Sequence, residues 1–319
     1  MRAITVNKPG TPEELQFLEV PTPEAGDQEV RIAVAGAGVN RADLLQRRGF
    51  YPPPPGTSEI LGLEVSGVID QGCGRWLPGD EVVALLAGGG YAQYVVVPTA
   101  QCARVPSGID LHHSAGIIET AATVVSNFDH IGASKGETLL VHGGAGGVGS
   151  FAIPYAKHLG LRVITTVGSP EKARYAVSLG ADLAIDYHQD WVEQARAATG
   201  DVDLILDIMG AKYLESNLSL LARGGRMCVI GLQSGTKATM DLNQLLTKSA
   251  TLTATSLRFR PVEEKQAIVA KVEAEVWPLF ESGKIPLPTM SFFPLAQARR
   301  AHELLESGAN IGKIVLTCE

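Results

Sequence analysis

The spacing of apolar and polar positions divides the chain into two regions with different periods. In the first ~120 residues, segments such as "EVRIAVAGAGV" (29–39), "LEVSGVID" (63–70) and "DEVVALLAGGGYAQYVVVP" (80–98) are rich in alternating apolar and β-branched residues. This alternation predicts short, half-buried strands. Proline and glycine recur between them, so we expect a compact barrel or folded sheet in this region.

Beyond about residue 114 the pattern changes to alternating strands and helices. Strands are predicted at "ETLLVHGG" (137–144), "RVITTVG" (162–168), "LAIDY" (183–187), "VDLILDIMG" (202–210) and "GRMCVIG" (225–231). Helical periodicity lies between them, for example over 148–160, 170–180 and 212–224. Such alternation predicts βαβ units and a doubly wound parallel sheet, and hence an α/β fold. A β-rich segment at 249–257, a long helix over 261–285 and a final helix, loop and strand complete the chain.

Composition and charge narrow the class of protein. A chain of 319 residues is long for one core, so two domains are expected. Its 27 basic and 34 acidic residues give a net charge of −7, which argues against a broad nucleic-acid surface. The four cysteines contain no C-x-x-C pair, and no apolar run reaches the roughly 18 residues of a membrane helix. We therefore expect a cytoplasmic protein without a membrane segment or nucleic-acid partner.

The most informative motif is the glycine-rich segment "LLVHGGAGGVG" at 139–149. Gly144, Gly146 and Gly149 form a G-x-G-x-x-G pattern between a predicted strand and a predicted helix, and Ala145, Gly147 and Val148 lie within it. In this context the glycines allow a tight turn and let the backbone approach a diphosphate at the helix N-terminus. The motif predicts a dinucleotide site; the alternative is a glycine-rich turn without a ligand.

The end of the next predicted strand indicates which dinucleotide binds. NAD-binding units usually carry Asp or Glu there, about 20 residues beyond the loop, to hold the ribose 2′-hydroxyl. Here the position is filled by Val167, Gly168 and Ser169, and Lys172 follows in the first helical turn. This favours NADPH over NADH. The alternative is that Ser169 only caps the helix and Lys172 is a solvated lysine.

At this point the sequence resembles the medium-chain dehydrogenases/reductases, in particular their zinc-independent, zeta-crystallin-like quinone oxidoreductase branch. The resemblance covers essentially the whole chain, through "GVNRADLLQRRGFYPPPP", "LGLEVSG", "PGDEVVALLAGGGYAQYVVVP", "VHGGAGGVG" and "NIGKIVL". It implies a GroES-like β-rich catalytic domain at 1–121 and 262–319, with a Rossmann NADP-binding domain at 122–261 between them.

The resemblance also locates the positions where zinc-containing relatives hold their metal. Asn40 stands at the cysteine position, Leu63 at the histidine position and Glu119 at the third. Amide and alkyl side chains do not replace a thiolate and an imidazole as zinc ligands. We therefore expect no metal, and expect Glu64 and Glu119 to form ion pairs, for example with Arg41.

Further cofactor contacts follow from the resemblance alone. Thr123 matches a residue beside the nicotinamide, and Lys172 and Tyr187 match residues near the 2′-phosphate. The remaining predicted contacts are Arg41, Gly231, Leu232, Ser256, Leu257, Arg258, Asn310, Gly312 and Lys313.

These residues together predict an NADPH-dependent quinone reductase that works without zinc. Asn40 would donate an amide N–H to the quinone oxygen, and Tyr51 would stack on the flat ring or donate its hydroxyl. Alternatively, Asn40 is a turn residue bonded to its own backbone, and Tyr51 is a rim aromatic packed on the proline run.

Two other functions remain open at this stage. One is an enoyl or 2-alkenal reductase of the same superfamily, with an enone substrate. The other is a crystallin-like or RNA-binding protein that holds NADPH. The β-rich segment 249–257, at the edge of the predicted Rossmann sheet, further predicts a homodimer through edge-strand pairing.

Overall fold

The computed structural model describes residues 1–318 and contains two compact units. The first consists of Met1–Ala122, Leu257–Gly283 and the segment from Pro288 onward; the second consists of Thr123–Ser256 and Lys284–Leu287. The domain limits expected from the sequence, 1–121 with 262–319 and 122–261, stay a prediction. Within residues 1–318, no helix combines the length and apolar character needed to cross a membrane.

The N-terminal part of the first unit is built mainly of strands. They are β1 (Arg2–Val6), β2 (Leu15–Glu19), β3 (Glu29–Val39), β4 (Glu64–Gln71), β5 (Glu81–Leu85), β6 (Tyr94–Pro98) and β7 (Cys102–Arg104). Two short helices, α1 (Arg41–Arg47) and α2 (Leu111–Ser114), accompany them. The longer helix α3 (Ile118–His130) begins in this unit and carries the chain into the second.

The second unit alternates strands and helices. Its strands are β8 (Thr138–His142), β9 (Arg162–Val167), β10 (Leu183–Asp186), β11 (Val202–Asp207), β12 (Leu221–Val229) and β13 (Thr251–Ala254). Its helices after α3 are α4 (Gly147–His158), α5 (Pro170–Ser178), α6 (Trp191–Thr199), α7 (Leu214–Leu220) and α8 (Leu242–Lys248). The chain then returns to the first unit with α9 (Val262–Lys271), α10 (Trp277–Glu281), β14 (Met290–Pro294), α11 (Ala298–Ser307) and β15 (Lys313–Thr317).

The main sheet of the first unit has the order β14-β15-β3-β4-β5-β7, and β6 pairs with β3 as well. Strand β3 is central because its eleven residues pair with three neighbours, and its register shifts between Val34 and Gly36. The alternation seen in the sequence places Val30, Ile32 and Val34 in the core. The predicted GroES-like β-rich domain is confirmed.

The sheet of the second unit has the order β10-β9-β8-β11-β12-β13, and all of its ladders are parallel. The order reverses at β8, the strand that enters the glycine-rich loop. In doubly wound sheets, ligands bind at the carboxyl ends of the strands beside such a reversal. The predicted Rossmann-type sheet is therefore confirmed, and its topology places the glycine motif at the expected ligand-binding position.

Several elements differ from the sequence prediction. The helix expected over 212–224 ends at Leu220, because the chain already enters β12 at Leu221. The helix expected over 261–285 widens into a π-helical stretch at Val272–Val276, immediately before Trp277 and Pro278. Proline lacks the N–H that an α-helix requires, and insertion of a wider turn is one way for a helix to continue past it.

Candidate active site

The glycine-rich loop of the second unit joins the end of β8 to the start of α4. A Cβ atom at Gly144 would collide with the side chain of Thr165 on β9, and one at Gly149 would collide with the backbone of the loop. These two glycines are therefore required by packing. Gly146 is different, because a Cβ there would meet only the carbonyl oxygen of Gly143, at 3.5 Å. Open space in front of Gly146 fits the approach of a diphosphate to the backbone N–H groups at the start of α4.

A buried histidine lies directly before this loop. The imidazole of His142 is fully buried, with Nδ1 2.9 Å from Thr166 Oγ1 and Nε2 2.8 Å from Asn217 Oδ1. The rings of Trp191 and Tyr213 pack edge-on against it. Burial lowers the pKa of His142 to about 4, so the ring is neutral at physiological pH. His142 thus fixes the start of the loop from beneath.

The end of β9 has no carboxylate. Ser169 caps α5, its Oγ accepting the backbone N–H of Lys172 at 3.2 Å. A side chain at Gly168 would collide with the hydroxyl of Tyr187, so Tyr187 closes this end of the strand. Partial burial lowers the pKa of Lys172 below the usual lysine value. The structure therefore brings Gly168, Ser169 and Tyr187 together, with Lys172 in the first turn of α5.

Other predicted cofactor contacts of the second unit lie at element ends. Gly231 follows β12, and a Cβ there would lie 2.8 Å from the carbonyl oxygen of Ile208. Leu232, next to it, is about half exposed. Thr123 is buried in α3, and its carbonyl oxygen accepts the side-chain amide of Asn127 at 2.7 Å. The cofactor contacts predicted for these residues and for Ser256 stay predictions.

The first unit contains a buried polar cluster at the start of α1, formed by Asn40, Glu64 and Lys313. The Lys313 ammonium lies 2.6 Å from Glu64 Oε1 and 2.7 Å from Asn40 Oδ1, and donates to the Val39 carbonyl at 3.3 Å. Glu64 is fully buried and Lys313 is only 2% exposed. Glu64 Oε2 also accepts the backbone N–H of Glu119 at 3.0 Å. Glu64 therefore forms the expected ion pair, but its partner is Lys313 and not Arg41.

The chemistry of these partners fixes the orientation of the Asn40 amide. An ammonium can only donate hydrogen bonds and a carboxylate can only accept them. Asn40 Oδ1 therefore faces Lys313, and Nδ2 donates to Glu64 Oε1 at 2.9 Å. Nδ2 carries a second N–H group. Because the amide is planar, the contacts with Lys313 and Glu64 fix the direction of this N–H. Both ends of the Asn40 amide are thus held, one by Lys313 and the other by Glu64.

The same cluster shows whether these residues fit a zinc ion. Asn40 and Lys313 supply no anionic ligand, Leu63 is a buried alkyl group, and the Glu64 carboxylate already neutralises an ammonium. Zinc in proteins takes thiolate, imidazole and carboxylate ligands, so this donor set does not fit. Among residues 1–318, no group of three or more His, Cys, Asp or Glu side chains is arranged to hold a metal ion.

A series of hydrogen-bonded, buried side chains leads from Arg47 to the polar cluster. Arg47 Nη1 lies 3.1 Å from His302 Nδ1, His302 Nε2 lies 3.2 Å from Tyr91 Oη, and Tyr91 Oη lies 3.0 Å from Asp43 Oδ2. Arg47 can only donate, so Nδ1 of His302 accepts and Nε2 carries the proton. The hydroxyl of Tyr91 is then free to donate to Asp43, and the hydrogen bonds all run in one direction.

The carboxylate of Asp43 accepts the last hydrogen bond of this series, from Tyr91, and also contacts Asn40 in the polar cluster. Its Oδ2 accepts the backbone N–H of Asn40 at 2.7 Å, and its Oδ1 accepts that of Gly62 at 3.1 Å. Asp43 therefore ties the N-terminus of α1 to the segment that leads into Glu64. Burial raises the pKa of Asp43 to about 6, although its hydrogen bonds oppose the shift.

Three aromatic residues, Phe50 and Tyr51 after α1 and Phe259 before α9, are named here the aromatic rim. Phe50 is 78% exposed, Phe259 is 51% exposed, and the ring of Tyr51 meets Phe259 edge-on at 5.3 Å between centroids. The guanidinium of Arg258 lies 5.1 Å from the centre of the Tyr51 ring. Arg258 itself is buried, and each of its three nitrogens donates to a neighbour in the first unit. The predicted cofactor contact of Arg258, like that of Leu257, stays a prediction.

The remaining predicted site residues lie near the C-terminus and at the start of α1. A Cβ at Gly312 would collide with the carbonyl of Thr289, and its φ of 74° also favours glycine. Gly312 therefore allows β15 to begin so that Lys313 enters the polar cluster. Asn310 donates weakly to the Gly312 carbonyl at 3.4 Å, and Arg41 is half-buried at the first position of α1. Their cofactor contacts stay predictions.

The sequence did not indicate the roles of Arg47, Tyr91, His302 and Asp43. Arg47 and His302 are hydrogen-bonded although they lie 255 positions apart, so only the folded first unit brings the four residues together. The signal that could have found them is a charged or polar residue within an apolar pattern. Tyr91, directly after three consecutive glycines at 88–90, and His302, on the buried face of α11, are of this kind.

Comparison with known proteins agrees with this fold and site. The family model for an alcohol dehydrogenase GroES-like domain matches residues 26–107, and that for a zinc-binding dehydrogenase matches residues 147–273. The chain is 32% identical over 323 residues to quinone oxidoreductase 1 of Escherichia coli K12, covering 98% of each chain. It is 29% identical to the quinone oxidoreductase of Homo sapiens, covering 99% of this chain and 97% of the human one.

Solved structures show the same likeness. The Escherichia coli quinone oxidoreductase complexed with NADPH matches with a TM-score of 0.90 and 31% identity, over 99% of this chain and 100% of that one. The quinone oxidoreductase of Thermus thermophilus matches with a TM-score of 0.85 and 30% identity, over 99% and 100%. The fold and the two sites define a medium-chain dehydrogenase/reductase. Within that superfamily, the chain belongs to the quinone oxidoreductase family.

Proposed function

We propose that the protein is an NADPH-dependent quinone oxidoreductase that transfers hydride without zinc. The observation that carries this proposal is the replacement of a metal-ligand set by a rigid, metal-free donor: Asn40, held by Lys313 and Glu64. A quinone gains aromaticity on reduction and needs little help from a Lewis acid. The relatives named quinone oxidoreductase support this choice of substrate class.

The cofactor we propose is NADPH, which supplies the hydride when bound. The open space at Gly146 fits the diphosphate. The carboxylate-free end of β9, with Ser169 and Lys172, fits a 2′-phosphate better than a bare hydroxyl. The solved relatives that bind NADPH support this assignment.

The residues of the first unit would act on the quinone. Hydride addition at a quinone places negative charge on an oxygen, and the remaining N–H of Asn40 would donate to that oxygen as the charge develops. Because Lys313 and Glu64 hold the amide in advance, this donor needs no reorganisation. The rings of Phe50, Tyr51 and Phe259 would contact the quinone ring. One proton from water completes the hydroquinone.

The nearest alternative is reduction of an enone or 2-alkenal by the same hydride. The two functions are separated by following the absorbance of the reduced nicotinamide with a naphthoquinone and with a 2-alkenal. We expect the naphthoquinone to be turned over with the higher kcat/KM. Faster turnover of the alkenal would favour double-bond reduction instead, and no acceleration by either acceptor would contradict both.

We also infer a homodimer formed by pairing of β13 with its copy. Strand β13 is the edge of the Rossmann-type sheet, and the neighbouring α8 exposes Leu242 and Leu246. An unpaired edge beside exposed leucines is typical of an interface. We further infer a cytoplasmic location, because the four cysteines are too few and too widely separated along the chain for a disulfide framework.

A further inference from the structure

Arg258 connects three separate segments of the first unit. Its Nε donates to the carbonyl of Ala87 at 2.7 Å, its Nη1 to the carbonyl of Tyr51 at 3.1 Å, and its Nη2 to Oε1 of Gln46 at 2.7 Å. These acceptors belong to the glycine-rich segment after β5, the rim and the end of α1. A planar guanidinium can satisfy three such acceptors at once, whereas an ammonium acts as a compact point charge.

The same side chain also contacts the ring of Tyr51. Its guanidinium carbon lies 5.1 Å from the ring centre, within the range of a cation–π interaction. Phe259, the next residue, packs edge-on against this ring from another side. Tyr51 is therefore held through its backbone and its ring by two consecutive residues.

Arg258 is itself held in place. It is 3% exposed, and its carbonyl accepts the ammonium of Lys265, which is 5% exposed, at 2.7 Å. Gln46, the acceptor of Nη2, is anchored in turn by donating to the Glu59 carbonyl at 2.9 Å. Burying a charge at this depth is costly unless it is fully hydrogen-bonded, so the arrangement is a built one rather than a chance contact.

We propose that Arg258 is a positioning residue for the quinone. It fixes Tyr51 so that the rim of Phe50, Tyr51 and Phe259 presents a preorganised face to a flat aromatic substrate. This proposal rests on the proposed function. It differs from the cofactor contact expected for Arg258 from family resemblance, because it assigns the side chain to the substrate rim and not to NADPH.

The test compares quinone kinetics with cofactor binding. In Arg258→Gln, and also in Arg258→Lys, we expect KM for a naphthoquinone to rise about tenfold, with a smaller change in kcat. The Kd of NADPH, measured by nicotinamide fluorescence without quinone, should remain within about twofold of the wild-type value. The matched control is Arg260→Gln, which removes an arginine two residues away that pairs with Glu264, and should leave both constants unchanged.

A double-mutant cycle tests whether Arg258 acts through Tyr51. In a Tyr51→Ala background, Arg258→Gln should cause no further rise in quinone KM. Additive effects would overturn the proposal, as would a weakened NADPH Kd with an unchanged quinone KM.

Should Arg258→Gln fail to fold, a second variant, Gln46→Met, removes only one acceptor of the guanidinium. It should raise quinone KM by a smaller factor, and an unchanged KM would overturn the proposal. Failure of the proposed function is distinct, because wild-type protein would then not reduce quinones.

Discussion

The buried pair of Glu64 and Lys313 is the residue-scale feature that distinguishes this site from a metal centre. Both side chains are almost completely buried, and each satisfies the charge of the other. A buried ion pair is weak evidence for net stability, but it is strongly destabilising to break. Its value here is that it holds Asn40 in one orientation.

Removal of one partner should therefore cost more than removal of both. Lys313→Met leaves the Glu64 carboxylate buried without a counter-charge, and we expect the free energy of unfolding to fall by about 3–5 kcal/mol. The double variant Lys313→Met with Glu64→Gln should recover a large part of that loss. Urea denaturation of the three proteins measures this, and a single variant as stable as wild type would contradict it.

The choice of cofactor also depends on single residues. Lys172→Glu places a carboxylate at the proposed 2′-phosphate position, and we expect KM for NADPH to rise about 10- to 100-fold, from loss of a charge-assisted contact and from repulsion. KM for NADH should change much less. Lys237→Glu, an equal charge change at an exposed position of the same unit, is the control. Equal effects on NADPH and NADH would argue against a 2′-phosphate site at Lys172.

At the scale of elements, the geometry of β13 determines how an edge variant must be designed. The N–H of Thr255 donates to the Val229 carbonyl of β12, and successive N–H groups of a strand point to opposite sides. The N–H of Thr253 therefore also faces β12, and that of Ala254 faces away from it. Within β13, Ala254 and Leu252 therefore point their N–H groups away from β12, toward a second copy of the chain.

A proline at Ala254 should thus weaken the dimer, whereas a proline at Thr253 should weaken the sheet itself. For Ala254→Pro we expect a shift toward monomer in sedimentation velocity, with little loss of thermal stability. Thr253→Pro removes a ladder hydrogen bond and should lower the melting temperature instead. An Ala254→Pro protein that sediments like wild type would show that β13 does not form the interface.

The elements also show how far the sequence predicts the structure. Strands β8, β9 and β11 and helix α4 were predictable because each is a long apolar run ended by glycine or flanked by charge. Helix α1 was missed because it is only seven residues long and half polar, and α6 because its apolar face is short. The glycine loop was predictable because its chemistry is local. The contacts of Lys313 and Arg258 were not, since they join segments 249 and 212 residues apart.

At the scale of the whole molecule, buried titratable groups make stability depend on pH. Burial, reinforced by Arg47, lowers the pKa of His302 from 6.5 to about 3. The unfolded chain therefore binds a proton at His302 as the pH falls below about 6.5, while the folded protein does not. The contribution of His302 is fully present above that pH and is lost progressively toward pH 3. Asp43, whose pKa is raised to about 6, has the opposite effect between about pH 6 and 4.

His302→Gln isolates the histidine contribution, because Asp43 is present in both proteins and glutamine can still donate to Tyr91. The stability of wild type relative to this variant should decrease as the pH is lowered from 6.5 toward 4. Urea unfolding at a series of pH values measures the difference. A difference that is constant over this range would show that His302 titrates normally in the folded protein.

At the same scale, the proposed function requires that this chain transfer hydride to a quinone with its own residues and without a metal ion. Single-turnover mixing of chelator-treated, NADPH-loaded protein with a naphthoquinone tests it most directly, by the decay of the reduced nicotinamide. We expect complete oxidation of NADPH, one quinone reduced per NADPH, and no change in rate on addition of zinc. Bound NADPH that stays reduced in the presence of the quinone, or that is oxidised only after zinc is added, would contradict zinc-free hydride transfer.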